Sequence, residues 1–241
     1  MTGSLPSTSP ASIDASAQVF VDDLTAPMVD DDDAHHLVDV LRLRPGEPVV
    51  AADGRGAWCR CRIASRDRRA SVLLEVDGPV LVSPRPHPPV TVAFAPVKGD
   101  RPEWAVQKLT ELGVDTILPL RTLRSVVRWD GERQARTVDR LRRIAREAAS
   151  QSRRAWLPVV GDVAAISELG GAALAEPGGG ALTLAHPVVA IGPEGGWDPT
   201  ELEQAAATVG LGDTVLRAET AAVTVGALLC GLRAGTVRPA I

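Results

Sequence analysis

The sequence predicts an α/β protein of two domains: a small β-rich domain, followed by a domain in which strands and helices alternate around a mostly parallel sheet. Three observations support this prediction. Short apolar runs separated by turn residues fill residues 18–82. Four prolines then fall within Ser83–Pro89, which is typical of a stiff linker. From residue 90 onward, strand and helix patterns alternate, as they do in parallel sheets.

Composition limits the class of protein. The chain has 241 residues, of which 45% are hydrophobic and 23% charged, so it can bury a substantial core. Residues 1–17 are rich in Ser, Pro and Thr and are predicted to form a disordered tail. No run of eighteen uncharged apolar residues occurs, and Met1–Asp14 lacks the features of a secretory signal. Three cysteines cannot form a disulfide framework, so we expect a cytoplasmic protein with no membrane association.

The first domain is predicted to contain four strands and one helix. The helix spans Ala34–Leu41 and ends before Arg44-Pro45-Gly46. Asp53-Gly54 is a turn signal between two of the strands. The strands are Val19–Val21, Pro48–Ala51, Trp58–Ile63 and Val72–Val76.

The domain that starts at residue 90 is predicted to alternate strands and helices. Asp100 is predicted to cap the first helix, which stops at Gly113, and Asp198 opens a later one with Pro at the first helical position. The Gly- and Ala-rich stretch Gly170–Gly180 is predicted to be a surface loop. The strands are Val90–Ala95, Thr116–Leu120, Val188–Ile191 and Val215-Leu216, and the two longest helices are Glu132–Ser150 and Thr220–Ala234.

Charge is distributed unevenly along the chain. The formal net charge is −4, which argues against a general nucleic-acid binder. Residues 121–154 nevertheless hold eleven arginines against four acids, and residues 42–69 hold eight arginines against three acids. Aromatic residues make up only 3% of the chain, so aromatic stacking of single strands is not expected. Two basic segments in an acidic protein indicate a focused site for a polyanion.

The glycine loop Gly192-Pro-Glu-Gly-Gly196 follows an apolar strand. Ligands of open α/β sheets bind beyond the carboxyl ends of the strands, where this loop lies. Neither the GxxxxGK[ST] nor the GxGxxG spacing is present, so the loop is not a phosphate loop. Its single charged residue, Glu194, suits a neutral or cationic ligand. The alternative is a plain strand-to-helix turn.

Two further segments carry charged residues at helix ends. Glu219 lies at the start of the last helix, where a carboxylate is favourable to the helix dipole without any catalytic role. Gln151–Arg154 ends the arginine-rich helix. The alternative to a functional role for this segment is a charged face exposed to solvent. His35, His36, Cys59 and Cys61 form no Cys-x-x-Cys pattern, so no metal site is predicted.

Six segments taken in order resemble one known family. They are His35–Gly46, Lys98–Gly113, Arg124–Val127, Gln151–Arg154, Gly192–Gly196 and Leu216–Ala221. Their order and spacing, over about residues 18–235, resemble the RsmE-type 16S rRNA uridine N3-methyltransferases. The resemblance implies a PUA-like RNA-binding domain at 18–82, a linker at 83–89 and a SPOUT-class methyltransferase domain with a trefoil knot at 90–241. It also implies S-adenosylmethionine as the methyl donor, 16S rRNA as the substrate and a homodimer.

The site residues follow from the resemblance and from the basic segments. Arg154 is the expected stabiliser of negative charge on the uracil, and Glu219 is expected either to orient Arg154 or to act as the base. Ser150 stands where the family usually has Glu, so no carboxylate can act at that position. The expected cofactor-binding residues are Ile191, Gly192, Pro193, Glu194, Gly195, Gly196, Leu216, Ala218, Thr220 and Ala221. The expected RNA-binding residues are Arg42, Arg44, Arg60, Arg62, Arg121, Arg124 and Arg128.

Two other functions compete with this interpretation. Related SPOUT enzymes methylate the ribose 2′-oxygen, which nucleoside analysis would distinguish from N3 methylation. A non-catalytic RNA-binding protein could keep the fold as a scaffold, but it would not need the segments 192–196 and 216–221 intact.

Overall fold

The computed structural model describes residues 9–66, 72–127, 129 and 131–238. By their internal contacts these residues form two compact units. The first unit ends at Arg85 and also includes Ala149–Leu157, whereas the second holds Pro86–Ala148 and the residues from Pro158 onward. The predicted second domain, 90–241, includes residues 149–157. In the structure these residues belong instead to the first unit, although they lie much later in the chain than the rest of it.

The first unit contains a five-stranded sheet in which β1 pairs with β2 in parallel and the other pairs are antiparallel. The strands are β1 (Ala17–Phe20), β2 (Pro48–Ala52), β3 (Ala57–Arg66), β4 (Val72–Val76) and β5 (Leu81–Val82). Alternation along β3 directs Cys59 and Cys61 into the core and places Arg60 and Arg62 on the other face. The two thiols are 3.6 Å apart, and the hydrogen bond with Cys59, together with burial, raises the pKa of Cys61.

A short helix, α1 (Asp31–His35), continues into a π-helical turn over His36–Val40. It starts three residues before the predicted Ala34, because the side chain of Asp30 accepts a hydrogen bond from the Asp33 N–H at 2.8 Å. Acidic residues in the first turn also interact favourably with the helix dipole. Leu37 anchors the segment in the core of this unit.

Residues 9–17, which composition assigned to the disordered tail, are packed in the first unit. Ser9 caps a 3-10 turn over Pro10–Ser12, and Ala17 begins β1. Ile13 packs against a buried cluster that includes Trp58 and Ala149. Residues 1–8 of the predicted tail lie outside the described residues.

The segment Ala149–Leu157 is hydrogen-bonded through its backbone to the turn between β2 and β3. The Leu157 N–H donates to the carbonyl of Gly54 at 2.9 Å, and the Gly56 N–H donates to the carbonyl of Ala155 at 3.1 Å. A Cβ atom on Gly54 would lie 2.6 Å from the Leu157 side chain, and one on Gly56 would lie 2.5 Å from the Trp156 ring. Glycine is therefore required at both positions for this close approach.

The second unit is built on a seven-stranded sheet whose pairs are all parallel, in the order β12-β10-β11-β6-β7-β8 with β9 also on β7. The strands are β6 (Thr91–Phe94), β7 (Thr116–Arg121), β8 (Val159–Val160), β9 (Ala164–Ala165), β10 (Ala173–Gly180), β11 (Val188–Ile191) and β12 (Ala207–Val209). The predicted parallel sheet is confirmed.

In the described part of the chain, the helices that accompany this sheet are α2 (Arg101–Leu112), α3 (Gly131–Gln151), α4 (Pro199–Leu202) and α5 (Ala218–Ala234), with a 3-10 turn at Ile166–Glu168. The predicted cap of α4 is confirmed, since Asp198 and Glu201 form a capping box. Asp100 occupies the predicted N-cap position of α2, but its side chain makes no capping hydrogen bond. Among the described helices, none is long and apolar enough to cross a membrane.

Two predicted elements of this unit, a loop and a strand, are wrong. Residues 173–180 form β10 rather than a surface loop: Ala173 and Leu174 are fully buried, and β10 lies between β11 and β12. Gly179 passes so close to β12 that an added Cβ would lie 2.5 Å from the Val209 backbone. Val215-Leu216 is not a strand but part of the loop before α5, and Ala207–Val209 takes the edge of the sheet instead.

The end of α5 is tied back to the start of β7. The guanidinium of Arg233 donates to the carboxylate of Asp115 and to the carbonyls of Gly113 at 2.8 Å and Pro88 at 3.1 Å. Asp115 in turn accepts a hydrogen bond from the Val90 N–H at 2.8 Å. These buried bonds fix α5, whose first turn borders the candidate site.

Candidate active site

A cavity of about 250 Å³ opens at the carboxyl end of β11 and beside the middle of β10, in the second unit. Three chain segments form its walls: the middle of β10, the glycine loop after β11, and the loop that leads into α5. The lining residues are Ala175–Pro177, Ile191–Glu194, Gly196, Trp197, Leu211, Gly212, Thr214–Leu216, Ala218 and Ala221. This is the edge of the sheet at which ligands of parallel α/β proteins bind.

The glycine loop is anchored by Trp197. The indole N–H of Trp197 donates to the carbonyl of Ala175 at 2.9 Å, which links the loop to β10. A Cβ on Gly192 would lie 2.9 Å from the Trp197 ring. Gly196 has φ +69°, a left-handed conformation that favours glycine, and a Cβ there would meet no described atom within 4 Å. The loop is thus packed at one end and open toward the cavity at the other.

The charged side chains that line this cavity are both acidic, Glu176 and Glu194. The rest of the described lining consists of apolar side chains, glycine backbone and the hydroxyl of Thr214. A cavity whose described lining holds no lysine or arginine does not favour a phosphate group. Its electrostatic character instead suits a cationic ligand with an apolar or planar part.

Eight of the ten predicted cofactor-binding residues line the cavity: Ile191, Gly192, Pro193, Glu194, Gly196, Leu216, Ala218 and Ala221. Gly195 does not, and its carbonyl accepts a hydrogen bond from Arg124 at 3.4 Å instead. Thr220 is exposed on the first turn of α5. The role of all ten in binding a cofactor stays a prediction.

Sequence reasoning missed two walls of the cavity. One is Ala175–Pro177, which was assigned to a surface loop because its neighbours are glycine and alanine. The other is the stretch from Leu211 to Val215. The glycine at position 212 could have indicated a turn there, because glycine favours left-handed backbone. In the structure Gly212 has φ +120°.

Glu219 is buried at the start of α5, with its side chain 8% exposed. Its Oε1 accepts a hydrogen bond from Nη1 of Arg101, at 3.4 Å, and Oε2 has no hydrogen-bond partner among the described residues. The same nitrogen of Arg101 lies 3.8 Å from Oε1 of Glu194. Arg101, which was not among the predicted site residues, is therefore the guanidinium that contacts Glu219.

Arg154 belongs to the first unit, whereas Glu219 belongs to the second. The Arg154 carbonyl accepts a hydrogen bond from Nε2 of Gln18 at 2.7 Å. The neighbouring Arg153 has φ +55° and donates to the carbonyl of Ala15, and desolvation by burial lowers its pKa. The backbone around Arg154 is thus tied to the first unit, and its predicted pairing with Glu219 stays a prediction.

The predicted RNA-binding arginines differ in their surroundings. Arg60 and Arg62 both contact Asp77, at 3.3 and 2.8 Å, which offsets part of their charge. Arg42 and Arg44 are exposed in the first unit, and Arg121 is exposed at the end of β7. Arg124 lies 3.7 Å from Asp198, and Arg128 lies outside the described residues.

No group of three or more His, Cys, Asp or Glu residues within the described ranges could hold a metal ion. His35 contacts Asp39 at 2.9 Å, and the ring of His36 lies 3.3 Å from Nε2 of Gln151. The three cysteines are buried, and none of them forms a disulfide.

Comparison with known proteins identifies the family. A model described as an RNA methyltransferase domain matches residues 84–230, and an RNA methyltransferase PUA domain matches residues 29–75. A Mycobacterium bovis protein named ribosomal RNA small subunit methyltransferase E is 37% identical over 227 residues, which covers 83% of this chain and 85% of that protein. The chain belongs to the ribosomal RNA small subunit methyltransferase E family. A Bacillus subtilis protein of the same name is 31% identical, and the match covers 79% of this chain and 84% of that protein.

Solved structures of rRNA methyltransferases share the fold. A probable rRNA-methyltransferase from Porphyromonas gingivalis is 29% identical with a TM-score of 0.77, covering 92% of this chain and 100% of that one. A ribosomal RNA small subunit methyltransferase E from Neisseria gonorrhoeae, bound to S-adenosyl methionine, is 29% identical with a TM-score of 0.74, covering 90% and 97%. The predicted α/β fold class, a PUA-like domain followed by an RNA methyltransferase domain, is confirmed, and the trefoil knot stays a prediction.

Proposed function

We propose that this methyltransferase E family member transfers the methyl group of S-adenosylmethionine to N3 of a uridine in the 16S rRNA of the small ribosomal subunit. The observation that carries the proposal is the cavity at the carboxyl end of β11. Its two charged lining residues are acidic, and it is bounded by a glycine loop that lacks a phosphate-loop spacing.

The cavity fits this cofactor in charge and in shape. The backbone of Gly192–Glu194 and Gly196 and the residues Leu216 and Ala218 offer peptide groups and apolar surface to an adenosine. Glu176 and Glu194 offer negative charge to the cationic sulfonium and ammonium groups. When bound, S-adenosylmethionine supplies an electrophilic methyl group. The solved Neisseria gonorrhoeae relative, 29% identical, is described as bound to the same molecule.

The uracil imide creates the main chemical demand on the protein. N3 carries a proton at neutral pH, and it becomes a nucleophile only when that proton leaves. The residues near the reaction must therefore accept the proton or stabilise the negative charge that develops on O2 and O4. We assign charge stabilisation to Arg154, and to Glu219 either proton acceptance or the orientation of a guanidinium.

The RNA itself is bound, in this proposal, by the arginines of both units: Arg42, Arg44, Arg60, Arg62, Arg121, Arg124 and Arg128. Family membership supports a second part of the proposal, a homodimer built on the second unit. It also supports the trefoil knot in the methyltransferase domain and a place for the protein in the cytoplasm, with no membrane partner.

Mass spectrometry of 16S rRNA tests the proposed function. Ribosomal RNA from a strain that lacks the gene should lose one N3-methyluridine, and restoring the gene should return it. Loss of a ribose-methylated nucleoside instead would show a 2′-oxygen transferase. An unchanged set of modified nucleosides, with no thermal stabilisation of the protein by S-adenosylmethionine, would favour a non-catalytic RNA-binding protein.

A further inference from the structure

A second cavity, of about 170 Å³, adjoins the one assigned to the cofactor. Pro193 and Glu194 line both cavities, so the glycine loop forms a wall that they share. The other residues that line the second cavity are Pro96–Lys98, Arg101, Arg124, Val126, Val127 and Gly195. The second cavity therefore lies directly beside the cofactor cavity, across the glycine loop.

The two cavities have opposite charge. Three cationic side chains, Lys98, Arg101 and Arg124, line the second cavity together with one carboxylate, that of Glu194. The remaining lining is apolar or backbone. Such a space favours a flat group that carries negative charge on its edge, because apolar walls lower the local dielectric constant and strengthen the attraction of the cations.

Carboxylates hold both arginines at the edge of this cavity. Arg101 uses Nη1 for its contacts with Glu219 at 3.4 Å and with Glu194 at 3.8 Å. Arg124 uses Nη1 for the carbonyl of Gly195 at 3.4 Å and Nε for Asp198 at 3.7 Å. A guanidinium has five N–H donors, so on each arginine the described contacts leave donors for a ligand.

The burial and the contacts of Glu219 indicate that it positions the side chain of Arg101. Its side chain is buried, one oxygen accepts from Arg101, and the other has no hydrogen-bond partner among the described residues. A buried carboxylate with a single cationic partner attracts that partner strongly. This attraction holds the Arg101 guanidinium at the rim of the cavity that the glycine loop shares with the cofactor.

We propose that the cavity lined by Lys98, Arg101 and Arg124 receives the target uracil and stabilises its N3-deprotonated form. The N3 proton passes to solvent water, and the negative charge left on the ring is shared by O2 and O4 beside the cationic side chains. Glu219 acts as a positioning residue for Arg101. This inference rests on the proposed function and specifies which group of the substrate the site recognises.

The ionisation of the bound base can be measured without methyl transfer. The probe is an rRNA fragment that the wild-type protein methylates, with 5-fluorouridine at the target position and no cofactor present. The ¹⁹F chemical shift then reports N3 deprotonation as a function of pH. We expect the wild-type protein to lower the apparent pKa of N3 by at least about one unit, and Arg101→Ala to return it toward the value of the free fragment.

Rates and a matched control complete the test. Arg101→Ala should slow single-turnover methylation by about 10²–10³-fold, the usual loss for a missing charge stabiliser. Raising the pH, or using the more acidic 5-fluorouridine, should recover part of that rate. Lys108→Ala, on the same helix but paired with Glu111, should match the wild type in both measurements. Glu219→Gln should reproduce the defect, and the double variant should be no slower than Arg101→Ala alone.

The outcomes separate this inference from the proposed function. An equal N3 pKa on wild-type and Arg101→Ala protein, while the wild type methylates the fragment, would overturn the inference alone. Weaker RNA binding with an unchanged pH profile would reduce Arg101 to a phosphate contact and also overturn it. Absence of N3 methylation by the wild type would refute the proposed function instead. Lys98→Ala and Arg101→Lys should change the apparent pKa of N3 in the same direction as Arg101→Ala, but by less. These two variants keep the inference testable if Arg101→Ala does not fold.

Discussion

Glu201 in α4 binds the backbone of Leu123, 78 residues earlier in the chain: its Oε1 accepts the Leu123 N–H at 2.9 Å. Its Oε2 accepts the N–H of Asp198 at 3.1 Å, and the residue is only 4% exposed. One buried carboxylate thus holds the loop after β7 against the start of α4. Arg124, which follows Leu123, in turn reaches the carbonyl of Gly195 in the glycine loop.

Replacing Glu201 by Ala should destabilise the protein. The substitution leaves the N–H groups of Leu123 and Asp198 without their acceptor, at a cost of about 1–3 kcal/mol. Urea denaturation followed by circular dichroism measures the change. Glu203→Ala removes an exposed carboxylate from the same segment and should change the unfolding free energy by less than about 0.5 kcal/mol. Equal midpoints for the two variants would contradict the structural role of Glu201.

Gly196→Val should abolish cofactor binding. A β-branched side chain is strained at the left-handed φ of +69° and would project into the open side of the glycine loop. Affinity for S-adenosylmethionine, measured by calorimetry, should fall below detection, while RNA binding should persist because arginines elsewhere carry it.

Gly235→Val is a matched control for strain. Gly235 caps α5 with φ +71°, and a Cβ there would also meet nothing within 4 Å, but it does not line the cofactor cavity. The control variant should lose stability yet keep its cofactor affinity. If Gly196→Val also keeps its affinity with the fold intact, the loop does not bind the cofactor.

Arg154→Ala should lower the methylation rate by about 10²–10³-fold at saturating RNA, with cofactor affinity nearly unchanged. The expected cause is loss of a guanidinium that stabilises charge on the uracil. Single-turnover kinetics and calorimetry measure the two quantities. Arg136→Ala, which removes an exposed arginine paired with Glu132, serves as the comparison. A weaker RNA affinity with the rate preserved would show that Arg154 only contacts a phosphate.

RNA binding should depend on arginines of the first unit as well as the second. Arg42 and Arg44 are exposed, and removing one phosphate-binding side chain should reduce the slope of log K against log salt by about one. The double Ala variant should therefore show a slope smaller by about two in filter-binding titrations. An unchanged slope would restrict RNA binding to other residues. Deletion of the first 89 residues is a poorer test, because Ala149–Leu157 packs in the first unit.

We expect a homodimer in solution, built on α5. This helix buries Val225 and Leu229 against its own unit, whereas Leu228 and Leu232, four residues apart on one side of the helix, are only half-buried and leave apolar surface for a partner. Light scattering at micromolar concentration should give twice the chain mass of 25.3 kDa. A mass equal to one chain would refute the prediction.

Much of the second unit could be predicted from local patterns. The strand Val188–Ile191 and its glycine loop, the capping box at Asp198, and the ends of α2 and α3 lie where apolar periodicity and turn residues indicated, within two residues. These features depend on neighbours within a few positions in the chain. That is the range over which capping and side-chain alternation act.

The sequence alone determined the two-part architecture of the chain, the parallel sheet and the position of the glycine loop. Only the tertiary structure decided that Gly-rich residues 173–180 form a central strand, and that Glu219 contacts Arg101, 118 residues earlier. The same holds for Ala149–Leu157, which packs on Gly54 and Gly56. The physical reason is common to all three. The burial of β10 between β11 and β12, the ion pair of Glu219 and the close approach to Gly54 and Gly56 each join residues that are far apart in the chain. No local pattern of side chains specifies which distant groups will meet.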